Sequence, residues 1–210
     1  MRDFPLYLQT IIIGDRRMSL FVPDAAVVKQ AYEEHKISFP YWSKIWPAAA
    51  ALSEFIEHHP QYVANKRVVE IGAGLGLPSL VAASSASHVL CTDFSEEAIS
   101  IVAKSALHHR LKNFETAVVD WKNLPQNIRT DVLLLSDVNY EPGAFAALKK
   151  TMNRFLDNGT IVLLSTPQRL MAKPFIEHVL HNCVQKEEHT VEQFGDSIAI
   201  TVMVLKKKES

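Results

Sequence analysis

The segment Val68-Val69-Glu70-Ile71-Gly72-Ala73-Gly74-Leu75-Gly76-Leu77-Pro78 constrains the fold more than any other stretch of the chain. Residues suited to a buried strand run straight into a glycine-rich turn, and an apolar run opened by a proline follows. Glycine accepts positive φ and lets backbone approach a ligand closely. Pro78 suits a first helical turn, where its missing N–H would have had no partner. Strand, tight turn and helix in this order begin an α/β unit. The chain holds only seven glycines, and Gly72, Gly74 and Gly76 are three of them.

The same alternation continues downstream. Short apolar runs at Arg67–Ile71, His88–Thr92, Thr116–Val119, Asp131–Leu135 and Thr160–Leu164 predict strands buried on both faces of a parallel sheet. Helical stripes separate them: Ile99, Val102, Ala103, Ala106 and Leu107, then Phe145, Leu148, Met152 and Phe155. Ser95 before Glu96 and Glu97 reads as a cap with two carboxylates at a helix's positive end, and Pro142 as an opening helical turn. Asn158-Gly159 marks a turn into the fifth strand. Beyond a helix ending near Asn182, the runs Val184–Phe194 and Ile198–Leu205, split by Gly195-Asp196, predict an antiparallel hairpin that closes the sheet.

The amino-terminal part departs from this pattern. Leu6–Ile13 and Met18–Val22 about Gly14-Asp15 predict a small hairpin, and Ala48, Ala49, Leu52, Phe55 and Ile56 form a helical stripe after Trp46-Pro47. So few residues could scarcely hold a core of their own. The expected organisation is an N-terminal cap over 1–45 folded onto one compact unit over 46–210.

Charge narrows the partners. With 22 Lys+Arg against 23 Asp+Glu the formal net charge is −1, which weighs against nucleic acid as a partner. No apolar stretch reaches the 18 residues of a membrane span, so no membrane partner is expected. Cys91 and Cys183 make neither a disulfide framework nor a metal spacing, and the histidine pairs lack a third ligand. The expectation is a cytoplasmic protein without a metal, monomeric by default.

Three acidic positions carry most of the chemistry. The usual dinucleotide fingerprint needs a third glycine where Leu77 stands, which disfavours NAD or FAD, and no Gly-Lys-Ser/Thr follows for a P-loop. Asp93 ends the second strand just before Phe94. There a carboxylate can accept both hydroxyl protons of a ribose, or simply cap the next helix. Asp120 ends the third strand, where it can accept an exocyclic amino proton while Trp121 covers an adenine ring.

Together the Glu70-x-Gly72-x-Gly74-x-Gly76 turn, Asp93 and Asp120 resemble the cofactor motifs of class I S-adenosylmethionine-dependent methyltransferases over about residues 46 to 205. The resemblance implies a Rossmann-like seven-stranded α/β sheet of order 3-2-1-4-5-7-6 with strand 7 antiparallel, and S-adenosylmethionine as cofactor. Two further stretches, Pro40-Tyr41-Trp42-Ser43-Lys44-Ile45-Trp46-Pro47-Ala48 and Ser136-Asp137-Val138-Asn139-Tyr140-Glu141-Pro142, are similar to motifs of the family 16 protein-lysine methyltransferases. The first lacks the acidic residue that family often has ahead of its tryptophan, with Ser43-Lys44-Ile45 in its place.

What the resemblance implies is methyl transfer to a nitrogen, with a protein lysine as the expected acceptor. Asp137 would receive the arriving ammonium and Tyr140 would shape its channel. Trp46, Glu70, Gly72, Gly74, Gly76, Asp93, Phe94, Asp120, Trp121 and Ser136 would form the cofactor site. Tyr41 and Trp42 read as packing residues. Asp137 has a competing reading as a helix cap and Tyr140 as rim packing. For the whole chain the alternatives are small-molecule methylation and a non-catalytic adaptor that kept the fold.

Overall fold

The computed structural model describes residues 3–125, 127–193 and 195–208. Phe194 of the predicted closing hairpin lies outside these, as do Met1, Arg2, Gln126 and the tail residues Glu209 and Ser210.

Strands β1 (Leu6–Ile13) and β2 (Arg16–Pro23) form the expected amino-terminal hairpin, antiparallel from Leu6 opposite Pro23 to Ile13 opposite Arg16. Helix α1 (Ala25–Glu33) adds to the predicted elements. Its signal is Asp24, whose carboxylate accepts the N–H groups of Ala26 and Val27 and caps the first turn. A 3-10 turn over Tyr41–Ser43 then leads into α2 (Pro47–His58), with Pro47 at its first position.

From there strands and helices alternate. The order is β3 (Arg67–Ile71), α3 (Leu77–Ala82), β4 (His88–Asp93), α4 (Glu96–His108), β5 (Phe114–Val118), β6 (Val132–Ser136), α5 (Phe145–Asp157), β7 (Ile161–Pro167), α6 (Lys173–Leu180), β8 (Cys183–Gln193) and β9 (Asp196–Leu205). Ser95 caps α4 as expected, its hydroxyl accepting the Ala98 N–H. Strand β5 starts two residues before the predicted run, because Phe114 pairs with Val89 across the parallel ladder and pairing, not local pattern, sets the boundary.

The seven-stranded sheet runs β5-β4-β3-β6-β7-β9-β8. Counted from β3 as its first strand, this is the expected order 3-2-1-4-5-7-6. Only β9 is antiparallel to both its neighbours. Alternation along the strands divides the core: Val68, Leu134, Leu163 and Val204 point to one face, and Val69, Leu133, Leu135, Leu164 and Met203 to the other. The first face is covered by α2, α3 and α4, and the second by α5 and α6.

The hairpin joins the first of these cores. Phe4, Met18, Leu20, Val28 and Trp42 are buried in one cluster with Val68 and Val89, and Phe21 donates its N–H to the Ser105 hydroxyl of α4 at 3.0 Å. At the far edge β8 alternates half-buried and exposed residues and carries Lys186, Glu188 and Glu192, charges that discourage edge-to-edge pairing. Among the described residues no helix is long and apolar enough to cross a membrane.

Strands β3 and β6 are neighbours although β4 and β5 lie between them in sequence. Their outgoing connections therefore diverge. In an open α/β sheet such a switch point leaves a crevice at the carboxyl ends of the strands.

Candidate active site

A cleft of about 770 Å³ opens there, with walls from the segments after β3, β4, β5, β6 and β7 and from the 3-10 turn ahead of α2. That volume suits a nucleoside-sized ligand with room to spare. Its lining includes Trp46, Gly72, Gly74, Gly76, Asp93, Phe94, Asp120, Trp121, Ser136, Asp137 and Tyr140. Eleven of the twelve residues singled out from sequence thus border one space.

The floor is the glycine turn. Gly72, Gly74 and Gly76 have φ of +66°, +54° and +69°, backbone that favours glycine. At Gly76 a Cβ would also meet Val102 Cγ1 at 3.0 Å and the Cys91 sulfur at 3.1 Å, so the turn is packed against α4 and β4 as tightly as a bare backbone allows. Gly74 is fixed by donating its N–H to Asp93 Oδ2 at 2.8 Å.

Glu70, the twelfth residue, is a correction. Its side chain is fully buried beneath the turn and does not line the cleft; Oε2 accepts both the N–H of Ser79, at 3.0 Å, and its hydroxyl, at 2.6 Å. It ties the end of β3 to α3. Burial pushes its carboxyl up to about 8, although the Ser79 bonds favour the charged form.

Asp93 is buried at the tip of β4 and accepts the N–H groups of Gly74 and Ser95, the latter at 2.9 Å. Burial raises its pKa and those backbone bonds oppose the rise. The carboxylate keeps lone-pair capacity for a diol. Phe94 beside it is half-exposed. Asp120 caps a 3-10 turn over Trp121–Asn123, accepting from the Lys122 N–H and the Asn123 amide, so it positions Trp121 at the rim as well as facing the cleft.

Across the cleft the wall is aromatic. Tyr41 is a second correction: it lines the cleft, with its ring 4.8 Å from that of Tyr140, 4.5 Å from Phe39 and 6.5 Å from Trp46. Trp42 does pack, in contact with Phe4 in the core, although it too borders the cleft. Trp46 is anchored by its indole N–H, which donates to the Tyr41 carbonyl at 2.6 Å, and Lys44 Nζ sits 3.9 Å from its ring centroid. Desolvation, helped by Glu141, pushes the Tyr140 phenol up to about 12, so it stays protonated.

Asp137 holds the position just past β6 with φ +53°, a conformation that L-residues other than Asn and Asp seldom adopt. Its N–H donates to the Ser165 carbonyl of β7 at 2.9 Å, which holds the backbone there. It caps no helix: α5 begins at Phe145, beyond a 3-10 turn over Pro142–Ala144. Its carboxylate instead accepts both terminal nitrogens of Arg169, Nη1 on Oδ1 and Nη2 on Oδ2, the second at 2.9 Å. Asn139 turns away from the cleft, and its Oδ1 accepts the Thr166 hydroxyl.

A family model described as lysine methyltransferase matches residues 26–187 of the chain. The chain belongs to the lysine methyltransferase family. Relatives include the mouse histone-arginine methyltransferase METTL23, 28% identical over 71% of this chain and 62% of that protein. The human electron transfer flavoprotein beta subunit lysine methyltransferase is 30% identical over 70% of this chain and 57% of its own length. The chain thus matches about three-fifths of each. Among solved structures, the T. thermophilus 16S rRNA methyltransferase RsmC superposes with a TM-score of 0.67 at 17% identity, over 99% of this chain and 52% of that one. The N-methyltransferase NodS from Bradyrhizobium japonicum gives 0.60 at 14% identity, over 85% and 98%. These two share the fold.

Within this lysine methyltransferase family fold, the charged and aromatic cleft residues missed by sequence reasoning are Arg169, Lys44, Lys122, Phe39 and Glu141. Lys44 and Glu141 lay inside the quoted motifs and could have been read from them. Arg169 had no signal, because only the pairing of β6 with β7 brings it to Asp137.

Proposed function

We propose that this chain transfers a methyl group from S-adenosylmethionine to a side-chain nitrogen of a protein, with lysine as the acceptor. The observation that carries this reading is the convergence, at one switch-point cleft, of the glycine turn and Asp93 with the strained Asp137 and Tyr140. The residues present fit the cofactor: bare backbone at three glycines, a buried carboxylate with free lone pairs, and two aromatic side chains, Phe94 and Trp121, to border a purine.

When bound, S-adenosylmethionine supplies an electrophilic methyl carbon on a sulfonium. Asp93 would accept the ribose hydroxyls, and Asp120 the purine amino group. The wall of Phe39, Tyr41, Trp46 and Tyr140 would exclude water and flank the acceptor side chain with aromatic faces that suit a cation. Asp137 and Tyr140 would hold the acceptor nitrogen in line for displacement, which is where positioning has most effect. In that displacement the amine lone pair would form the new N–C bond as the C–S bond broke, and the proton lost from nitrogen would pass to solvent.

The names of relatives divide between lysine and arginine. Incubating the chain with cell extract and methyl-labelled S-adenosylmethionine, followed by acid hydrolysis of the protein fraction, tests the reading. Methyllysine in a protease-sensitive band is the expected result. Label confined to small molecules or nucleic acid would overturn it.

A further inference from the structure

Asp137 is not an open receptor for a substrate cation. Its carboxylate is only 8% exposed, and both oxygens are engaged in the planar fork of Arg169, whose side chain is 32% exposed at the mouth of the same cleft. Such a two-bond fork is the strongest common geometry for this pair; it takes one acceptor site on each oxygen, which leaves sites for single hydrogen bonds but no free edge for a second fork. The hydrogen bonds to Asp137 raise the guanidinium pKa further, so the charge on Arg169 is permanent.

We infer that Arg169 decides which nitrogen the cleft accepts: it closes Asp137 to a substrate guanidinium and favours a lysine amine in its neutral form. This rests on the reading that the acceptor nitrogen approaches Asp137.

Two physical effects point the same way. The first is geometric. A substrate arginine would need the same fork that Arg169 already occupies, whereas an amine needs one contact and no plane. The second is electrostatic. Arg169 offsets the Asp137 charge that would otherwise hold an arriving ammonium protonated, so beside the pair the ammonium pKa lies lower than beside an unpaired carboxylate and the nucleophilic fraction is larger. A guanidinium stays charged at any working pH, so it gains no accessible neutral form and meets only the repulsion of Arg169. Asp93, Asp120 and Glu141 carry the cleft's negative charges and Lys44 and Lys122 its other positive ones. None of these makes a fork on Asp137, and the Tyr140 phenol stays neutral.

Arg169 is therefore a positioning residue that acts through Asp137 and through the protonation state of the acceptor. The test compares wild type with Arg169→Gln and Arg169→Lys, each checked by thermal melting. Labelled hydrolysates of cell extract give the lysine-to-arginine ratio, a pH profile gives the apparent acceptor pKa, and calorimetry with n-butylguanidinium and n-butylammonium reads the site without turnover. In Arg169→Gln the limb of the lysine profile should move up by about one pH unit, with roughly a tenfold loss at neutral pH. The same variant should bind n-butylguanidinium about tenfold better than wild type. Methylarginine should appear beside methyllysine. Arg169→Lys, which keeps the charge but not the fork, should restore the profile and leave the site open to guanidinium.

Unchanged profile, ratio and butylguanidinium binding in Arg169→Gln would overturn the inference while leaving lysine methylation standing. Methylarginine as the wild-type product would overturn both. Wild type that labels no protein would overturn the function, and the butylguanidinium comparison would still decide the role of Arg169.

Discussion

Strand β6 has an aspartate at each end, one held by an arginine of neighbouring β3 and the other by an arginine just beyond neighbouring β7. Asp131 precedes the strand and faces Arg67, the first residue of β3; Asp137 follows it and faces Arg169, two residues past β7. The chemistry is the same and the setting is not. Asp131 accepts three bonds from Arg67, from the backbone N–H, Nε and Nη2, with side chains 42% and 55% exposed. Asp137 is almost fully desolvated, sits at positive φ and borders the cleft. Water can replace the first pair at little cost, and such exposed pairs contribute little to stability. The second holds a strained backbone and a buried charge where a ligand would lie, a combination that persists at functional sites. One end of the sheet is built to keep register and the other to do chemistry.

The sharpest break in this comparison is Asp137→Asn. It keeps size and shape, frees Arg169 and removes the carboxylate beside the acceptor. Methyl transfer should fall about a hundredfold or more, the scale expected when a group acting on the reacting nitrogen is lost. Cofactor affinity by calorimetry should be unchanged, because Asp137 makes no bond to the glycine turn. Retained activity would remove Asp137 from the mechanism and with it the functional half of the contrast.

The same polarity runs along β3, from exposed Arg67 to buried Glu70. Burial raises the Glu70 carboxyl to about 8, so the folded state holds a proton that the unfolded chain releases near its ordinary value. The stability this contributes is complete below the unfolded pKa and is lost as pH rises through about 8. Glu70→Gln keeps an acceptor for Ser79 and cannot ionise. Relative to wild type its melting temperature should therefore gain on the order of 5 °C between pH 5 and pH 9. A pH-independent difference between the two proteins would show that Glu70 is not held protonated, and that the cleft end of β3 is as wet as the other.

Much of this was legible in residues alone, and the reasons for the exceptions are physical. The βαβ alternation, the closing hairpin and the glycine turn all follow from local pattern, since each is written in neighbouring side chains. Strand order is not local and came only with the family resemblance. Helix α1 buries just Val28 and Ala31, too narrow a stripe to stand out, and only Asp24 announces it. Glu70 read as a ligand because it precedes the glycines, but strand alternation turns it under the turn to Ser79. Tyr41 read as packing because it adjoins Trp42, yet in the 3-10 turn Trp42 is buried while Tyr41 stays exposed beside Tyr140. Arg169 lies 32 residues from Asp137 and meets it only because β6 and β7 pair in register, Ser136 beside Ser165.

The smallest expected effect tests the other side of the contrast. Asp131→Asn retains one oxygen for the Arg67 donors and loses the charge. The Arg67 bonds hold the Asp131 carboxyl below the usual carboxylate range, so its contribution is present above the unfolded pKa and disappears as pH falls through the lower folded value. At pH 7 the variant should melt within about 2 °C of wild type, with the gap shrinking in high salt and in acid, as for other exposed pairs. Methyl transfer should not change, because a five-residue strand separates this carboxylate from the cleft. A loss of activity approaching that of Asp137→Asn would mean that β6 transmits strain from its amino end to its carboxyl end. The two arginine forks would then be one device rather than two.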